Sequence, residues 1–137
     1  ASTIVPAGAA SFDWKGRKLV IPLPNDPRLD GAPNPAFTRY LATLTYGLNS
    51  MPQVPPCGYG QASKQAGVES VMAVFGLLQR VQKYCQKNGL FDLSAVIVNQ
   101  NTRVPGAGHY GAHTQDEQEW RNYLGEALKA IQRVRTP

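Results

Sequence analysis

The chain has 137 residues, with 14 Lys and Arg against nine Asp and Glu and a net charge of +5. Hydrophobic residues make up 42% of it, enough to bury the core of one ordinary domain, which argues against a disordered chain. No apolar run is long enough to cross a bilayer, and from residues 1–11, which lack a basic stretch followed by an apolar one, we expect no secretory leader. We therefore expect one basic, cytoplasmic domain whose charge permits, without proving, attraction to phosphate.

The first part of the sequence predicts a hairpin followed by a proline-rich loop. Residues 1–10 are mostly small, which favours a loose N-terminal arm. Within the segment 11–35, Phe12 and Trp14 alternate with polar residues before a turn, and the return strand is predicted over 18–23. The prolines that follow exclude a regular helix from the rest of this segment.

The segment 36–113 predicts the centre of the domain. Its elements, in chain order, are a helix capped by Asn34, a short helix over 61–66 that stops at Gly67, a long helix over 69–88, a buried strand over 93–98 and a loop over 99–111. The helices show apolar residues at three- and four-residue intervals, whereas the strand is predicted from a run of β-branched residues.

The last segment, 114–135, predicts a helix that closes the domain. Thr114 and Glu117 have the spacing of a capping box, and an apolar stripe begins at Trp120. The predicted fold class is α+β: a helix-rich single domain over 11–137, with a winged-helix-like centre, an N-terminal β-hairpin and a closing C-terminal helix. The predicted core residues are Phe37, Leu41, Leu44, Val71, Val74, Phe75, Leu78, Val81, Ala95, Ile97, Trp120, Leu124, Leu128 and Ile131.

Two helices joined through Gly67 are typical of a helix-turn-helix, whose second helix enters the major groove of DNA. The strand and loop that follow would form a wing. The candidate residues for binding nucleic acid or another partner are Lys64, Arg80, Lys83, Lys87, Asn99, Asn101, Arg103 and His109. We expect Arg103, the only permanently charged residue of the loop, to touch the partner.

Parts of residues 45–134 also match a sequence pattern, YxxLAxxxG, YC, LSALVVN and TGxPGxG in that order. The matching residues are Tyr59, Ala62 and Gly67, then Tyr84 and Cys85, then Leu93–Asn99, then Thr102, Pro105, Gly106 and Gly108. In this the chain resembles a family of small prokaryotic and phage proteins with a winged-helix-like core. Its helix pair is distantly similar to the DNA-binding part of alkyltransferase-like proteins. The resemblance implies a DNA-binding fold and carries over no catalytic residue.

The cysteines and histidines do not have zinc-finger spacing, so we expect no metal and no cofactor. Cys57 and Cys85 are expected to be buried thiols, although one disulfide between them stays open at this point.

The sequence therefore predicts a non-catalytic protein that binds double-stranded DNA, as a regulator or accessory factor of a phage or mobile element. Two alternatives stay open. One is a protein-binding inhibitor or regulator of a host or defence enzyme, which would contact an acidic protein surface. The other is a small nuclease in which His109 and His113 act as general acid and base.

Overall fold

The computed structural model describes residues 8–47, 58–98, 110 and 113–135. Its regular elements are the strands β1 (Ala10–Trp14) and β2 (Arg17–Ile21), the helices α1 (Pro35–Tyr46), α2 (Tyr59–Ala66), α3 (Val71–Lys87) and α4 (Glu117–Arg135), and 3-10 helices at Pro27–Gly31 and Leu93–Val96. The hairpin and the helices share one hydrophobic core, which confirms the predicted α+β domain with an N-terminal hairpin and a C-terminal helix.

β1 and β2 pair antiparallel, and the last pair in register is Trp14 opposite Arg17. Two residues close the hairpin, Lys15 at φ 50° and Gly16 at φ 81°. Positive φ at both positions is the type I′ turn, whose twist matches that of the flanking strands. The predicted hairpin is therefore confirmed, with a tight and defined tip.

The predicted loose arm over 1–10 is wrong at its end, while residues 1–7 lie outside the described residues. Ala9 and Ala10 are buried, and the backbone N–H of Ala10 donates to the Tyr46 hydroxyl at 3.0 Å. That hydroxyl in turn donates to the Ile21 carbonyl at 2.9 Å. A contact with α1, distant in sequence, orders these small residues.

A short parallel pairing attaches the hairpin to the middle of the chain. The Val20 N–H donates to the Gly89 carbonyl at 3.2 Å, and the Phe91 N–H donates to the Val20 carbonyl at 2.8 Å. Gly89, at φ 67°, turns the chain out of α3 and into this pairing. β2 is thus held on both edges, by β1 and by residues 89–91, next to the end of α3.

Local capping sets the helix boundaries of the centre. The Asn34 side chain accepts from the Phe37 N–H at 3.3 Å at the start of α1, and the Ser70 hydroxyl accepts from the Ala73 N–H at 3.1 Å at the start of α3. Gly67, at φ 70°, ends α2 in the left-handed region. The predicted helices and the stop at Gly67 are confirmed to within two residues at each end.

The predicted strand over 93–98 is wrong, because the structure has a 3-10 helix at Leu93–Val96. The Asp92 carboxylate accepts from the Ser94 N–H at 3.0 Å and from the Ser94 hydroxyl at 2.6 Å. An aspartate that bonds the backbone two residues ahead favours a turn over a strand. The β-branched residues are nevertheless buried, and Val98 forms an isolated bridge with Gly58.

α4 begins at Glu117, and Asp116 caps it in place of the predicted Thr114. The Asp116 carboxylate accepts from the Glu119 N–H at 2.8 Å, and the Glu119 carboxylate accepts from the Gln115 N–H at 3.0 Å. The predicted reciprocal capping therefore occurs two residues later in the chain, and the Thr114 hydroxyl donates instead to the Tyr110 carbonyl.

An aromatic cluster around Tyr123 joins the hairpin to α4. The Phe91 ring stacks on Tyr123 with centroids 4.8 Å apart. Phe12 and Trp14, from β1, meet Tyr123 edge-on at 5.7 and 5.2 Å. These geometries are the favoured ones for aromatic pairs, so the cluster adds to the stability gained from buried area alone.

Most of the predicted core is buried. Trp120 has no exposed surface, and its Nε1 donates to the Ala95 carbonyl at 2.9 Å. The buried members of the prediction are Phe37, Leu41, Val74, Leu78, Val81, Ala95, Ile97, Trp120, Leu124 and Ile131. The half-buried members are Leu44, Phe75 and Leu128; Leu44 and Leu128 pack against this core, and Phe75 packs against the Tyr59 ring. The Val71 side chain lies outside the described part.

Candidate nucleic-acid interface

α2 packs against α3 near the start of each helix. The rings of Tyr59 and Phe75 lie 4.6 Å apart, and a shallow groove opens beside them. Gln79, Gln82 and Ser94 also line this groove, so its wall combines aromatic surface with amides that can donate and accept hydrogen bonds. We did not predict the two glutamines as site residues. The sequence could have indicated them, because Gln79 directly precedes Arg80 and Gln82 directly precedes Lys83.

The exposed side of α3 carries cations and amides but no acid. No Asp or Glu occurs between Val71 and Lys87. Arg80, Lys83 and Lys87 are exposed and follow each other by three and four residues, which places them on one stripe of the helix. We call these three residues the α3 stripe. It presents three positive charges over about 10 Å of helix length.

Ion pairing distinguishes the α3 stripe from five other cations of the described residues. The cations that pair with a carboxylate within 4.0 Å are Lys15, Arg28, Arg39, Arg121 and Lys129. They lie in the hairpin turn, the N-terminal loop, α1 and α4, whereas none of these pairs includes a cation of α2 or α3. Residues 58–91 contain four cations and one carboxylate, Glu69, and four minus one leaves +3. This charge is concentrated and locally uncompensated.

Lys64 does not share the α3 stripe. It is exposed on the last turn of α2, next to the break at Gly67. α3 begins at that end, and Arg80 follows its first residue by about 14 Å along the helix axis. The structure thus brings three predicted cations together and places Lys64 at the opposite end of the helix pair.

The predicted binding residues outside the described residues are Asn99, Asn101, Arg103 and His109. The loop predicted over 99–111 therefore stays a prediction, whereas the strand predicted to form a wing with it is wrong, because a 3-10 helix stands there. A second element with exposed cations is β2. It begins with Arg17 and Lys18, and its Val20 pairs with Leu90, just after the end of α3. We did not predict Arg17 and Lys18 as site residues, although their closeness to Lys15 in the sequence was a usable signal.

The first half of α3 offers no side-chain hydrogen bonds to base edges. Met72 is 77% exposed, and Ala73 and Gly76 are exposed beside it. In a helix-turn-helix the first residues of the second helix make the base contacts. Because the α3 cations lie in the second half of the helix, the surface suits phosphate contacts better than sequence readout.

His113 packs between the hairpin and α4. Its carbonyl accepts from the Trp14 Nε1 at 2.9 Å, and its ring centroid lies 5.9 Å from that of Tyr123. Its Nε2 is buried and has no hydrogen-bond partner in the described part of the chain. These surroundings are typical of a histidine ring that packs against its neighbours. His109, its partner in the nuclease alternative, lies outside the described residues.

The surroundings of His113 make stability depend on pH. Burial lowers its pKa, the Asp92 charge opposes that shift, and Arg17 and Lys15 add to it. As the pH falls through about 6.5, the unfolded chain therefore binds the proton before the folded one does. We expect stability to be complete above that pH and to decline below it, as thermal unfolding at about pH 7.5 and about pH 5.5 would measure.

The variant His113→Gln tests whether His113 causes this pH dependence of stability. Glutamine does not titrate, so the melting temperature of the variant should change less between the two pH values than that of the wild type. The matched variant His109→Gln controls for the other histidine of the chain. If His113→Gln loses as much melting temperature on acidification as the wild type does, the assignment to His113 is wrong.

Cys85 is buried and free within α3. Burial raises the pKa of its thiol, and the negative charge of Asp92 raises it further. The thiol therefore stays protonated and inert near neutral pH. The predicted buried thiol is confirmed for Cys85, while Cys57 lies outside the described residues.

Comparisons with protein-family models, with curated proteins and with solved structures give no match. The resemblance to small phage proteins therefore stays a prediction, and the functional argument rests on geometry and charge. Among the described residues, no three His, Cys, Asp or Glu side chains are placed to share a metal ion. No helix in the described ranges has both the length and the apolar content to cross a membrane.

Proposed function

We propose that this protein binds double-stranded DNA through the α3 stripe, as a non-catalytic regulator or accessory factor in the cytoplasm. One observation carries the proposal. Three exposed cations share a helix face without a carboxylate, whereas Lys15, Arg121 and Lys129 are held in ion pairs. An uncompensated stripe of this kind has the charge and the spacing to meet a row of phosphates.

The charge density of DNA makes this stripe effective. A duplex carries one negative charge per ~1.7 Å of axis, so the ~10 Å stripe spans several phosphates. Each phosphate that a Lys or Arg neutralises releases condensed counterions, which drives binding. The exposed amide of Gln79, next to Arg80 on the helix, adds a hydrogen-bond donor at the edge of the same surface.

The binding mode is expected to be weakly sequence-specific. Met72, Ala73 and Gly76 occupy the positions from which a recognition helix contacts bases, and their side chains have no strong donor or acceptor. Ala73 and Gly76 are small and allow the helix backbone to approach the duplex closely, so that phosphate contacts hold the complex together.

A salt titration tests the proposal. Binding of a mixed-sequence duplex of about 20 base pairs, followed by fluorescence anisotropy, should weaken with a slope of log K against log salt of about −3 or steeper. Raising the salt from about 50 to about 200 mM should therefore cost roughly 60-fold or more in affinity. Polyglutamate of equal charge is the matched ligand. Tight binding to polyglutamate without binding to the duplex would replace DNA by an acidic protein surface.

A further inference from the structure

The tip of the N-terminal hairpin is a second cationic element at the end of α3. We infer that Arg17 and Lys18 contact the phosphate backbone next to the α3 stripe, so that the β1–β2 hairpin acts as a wing. This inference rests on the proposed function and names a part of the binding surface that the α3 stripe does not include. The occupant is the same duplex, one or two phosphates further along its backbone.

Chain direction places the hairpin tip beside the last turn of α3. β2 runs parallel to residues 89–91, through the hydrogen bonds of Val20 with Gly89 and Phe91. In a parallel pair the two starting ends lie side by side. The start of β2 is the hairpin tip, and the start of the segment 89–91 is the exit from α3.

The pairing of Val20 with Leu90 brings Lys18 of β2 close to Lys87 of α3. Lys18 precedes Val20 by two residues, about 7 Å along a strand, and neighbouring strands lie about 5 Å apart. Lys87 precedes Leu90, the residue opposite Val20, by three residues. Lys18 and Lys87 therefore lie within two and three residues of the same Val20–Leu90 bridge, so that one duplex backbone can contact both.

Contacts to the start of α4 hold the tip in place, so we expect binding to order little that was free before. Lys15 and Gly16 form the two-residue type I′ turn. The Trp14 Nε1 donates to the His113 carbonyl at 2.9 Å, and the Lys15 Nζ pairs with a Glu119 carboxylate oxygen at 2.9 Å. These contacts pin the hairpin to the start of α4 and reduce the entropy that a phosphate contact must offset.

One cation at the hairpin tip is held in an ion pair, and two others are not. Glu119 already neutralises Lys15, whereas Arg17 and Lys18 are exposed and belong to none of the ion pairs formed within the described ranges. Asp13 is the cross-strand partner of Lys18 in register, but the two form no ion pair within 4.0 Å. Arg17 and Lys18 therefore remain available to an external anion.

The decisive experiment compares two double variants of the full chain. Arg17→Ala with Lys18→Ala should reduce the salt slope for the 20-base-pair duplex by about two and weaken binding roughly 50-fold at about 100 mM salt. The control, Arg121→Ala with Lys129→Ala, removes the same charge from ion-paired positions on α4 and should change affinity by less than about threefold. Asp13→Asn should strengthen binding several-fold, because it removes a negative charge beside the phosphates.

A second measurement needs no substitution. Amine-reactive labelling of the wild-type protein should be suppressed at Lys18 when duplex is bound and unchanged at Lys129, so a variant that fails to fold leaves the inference testable. Unchanged labelling of Lys18 in a complex with DNA would show that the hairpin does not contact the duplex. A folded double variant that binds with the wild-type salt slope would show the same. If the wild type itself does not bind duplex, the proposed function fails and takes the wing with it.

Discussion

Replacing Trp120 by alanine is expected to lower the free energy of unfolding by roughly 3–5 kcal/mol. The indole is completely buried, and its Nε1 satisfies the Ala95 carbonyl at 2.9 Å. The substitution leaves a large cavity under the 3-10 helix and an unpaired carbonyl beside it. Since a domain of this size is stable by about 5–15 kcal/mol in total, the variant should be close to unfolding at room temperature.

Urea unfolding followed by circular dichroism measures this loss. Trp120→Phe keeps an aromatic ring but removes the donor, so we expect a smaller loss of about 1–3 kcal/mol. Val134→Ala is the matched control on the same helix, because Val134 is 45% exposed, and it should stay within about 0.5 kcal/mol of the wild type. A Trp120→Ala variant as stable as that control would show that α4 does not close the core through this residue.

Neutralising the α3 stripe is expected to abolish most of the DNA affinity. The triple variant Arg80→Ala, Lys83→Ala, Lys87→Ala should bind the duplex roughly 500-fold more weakly at about 100 mM salt, and its salt slope should fall by about three. The fold should survive, because the three side chains are exposed and alanine is the best helix former. Anisotropy titrations at several salt concentrations give both quantities.

A triple variant of equal charge separates local contact from net charge. Arg121→Ala, Lys129→Ala and Arg133→Ala remove three cations from α4, two of which are ion-paired. We expect this variant to retain affinity within about fivefold, because α4 is no part of the proposed surface. Equal losses in the two triples would mean that overall charge governs binding and that the α3 stripe is not a site.

The sequence predicted those features of the fold that local chemistry controls. Asn34, Gly67 and Ser70 determine helix ends through bonds or dihedral angles within a few residues, so pattern and spacing located α1, α2 and α3. The strand over 93–98 failed because the Asp92 side chain competes for the local backbone. A β-branched run indicates burial reliably but does not distinguish a strand from a buried turn.

The candidate site, too, could be predicted from the sequence only in part. The α3 stripe follows from the helical period, since Arg80, Lys83 and Lys87 oppose the buried residues of the same helix. The place of Arg17 and Lys18 depends on the pairing of β2 with residues 89–91, more than 60 positions away. No local pattern encodes that pairing, so the sequence showed that the hairpin is basic but not where it lies.

The Tyr123 cluster also determines when the molecule can fold. Trp14 and His113, joined by a hydrogen bond, are 99 positions apart in sequence, and the Phe12 ring packs against Phe91 and Tyr123, both far along the chain. During synthesis the hairpin therefore emerges with its aromatic face in water, and that face is fully covered only when α4 has left the ribosome. Such long-range closure makes folding a late and comparatively slow event. In the interval the nascent chain displays the kind of apolar surface that chaperones recognise.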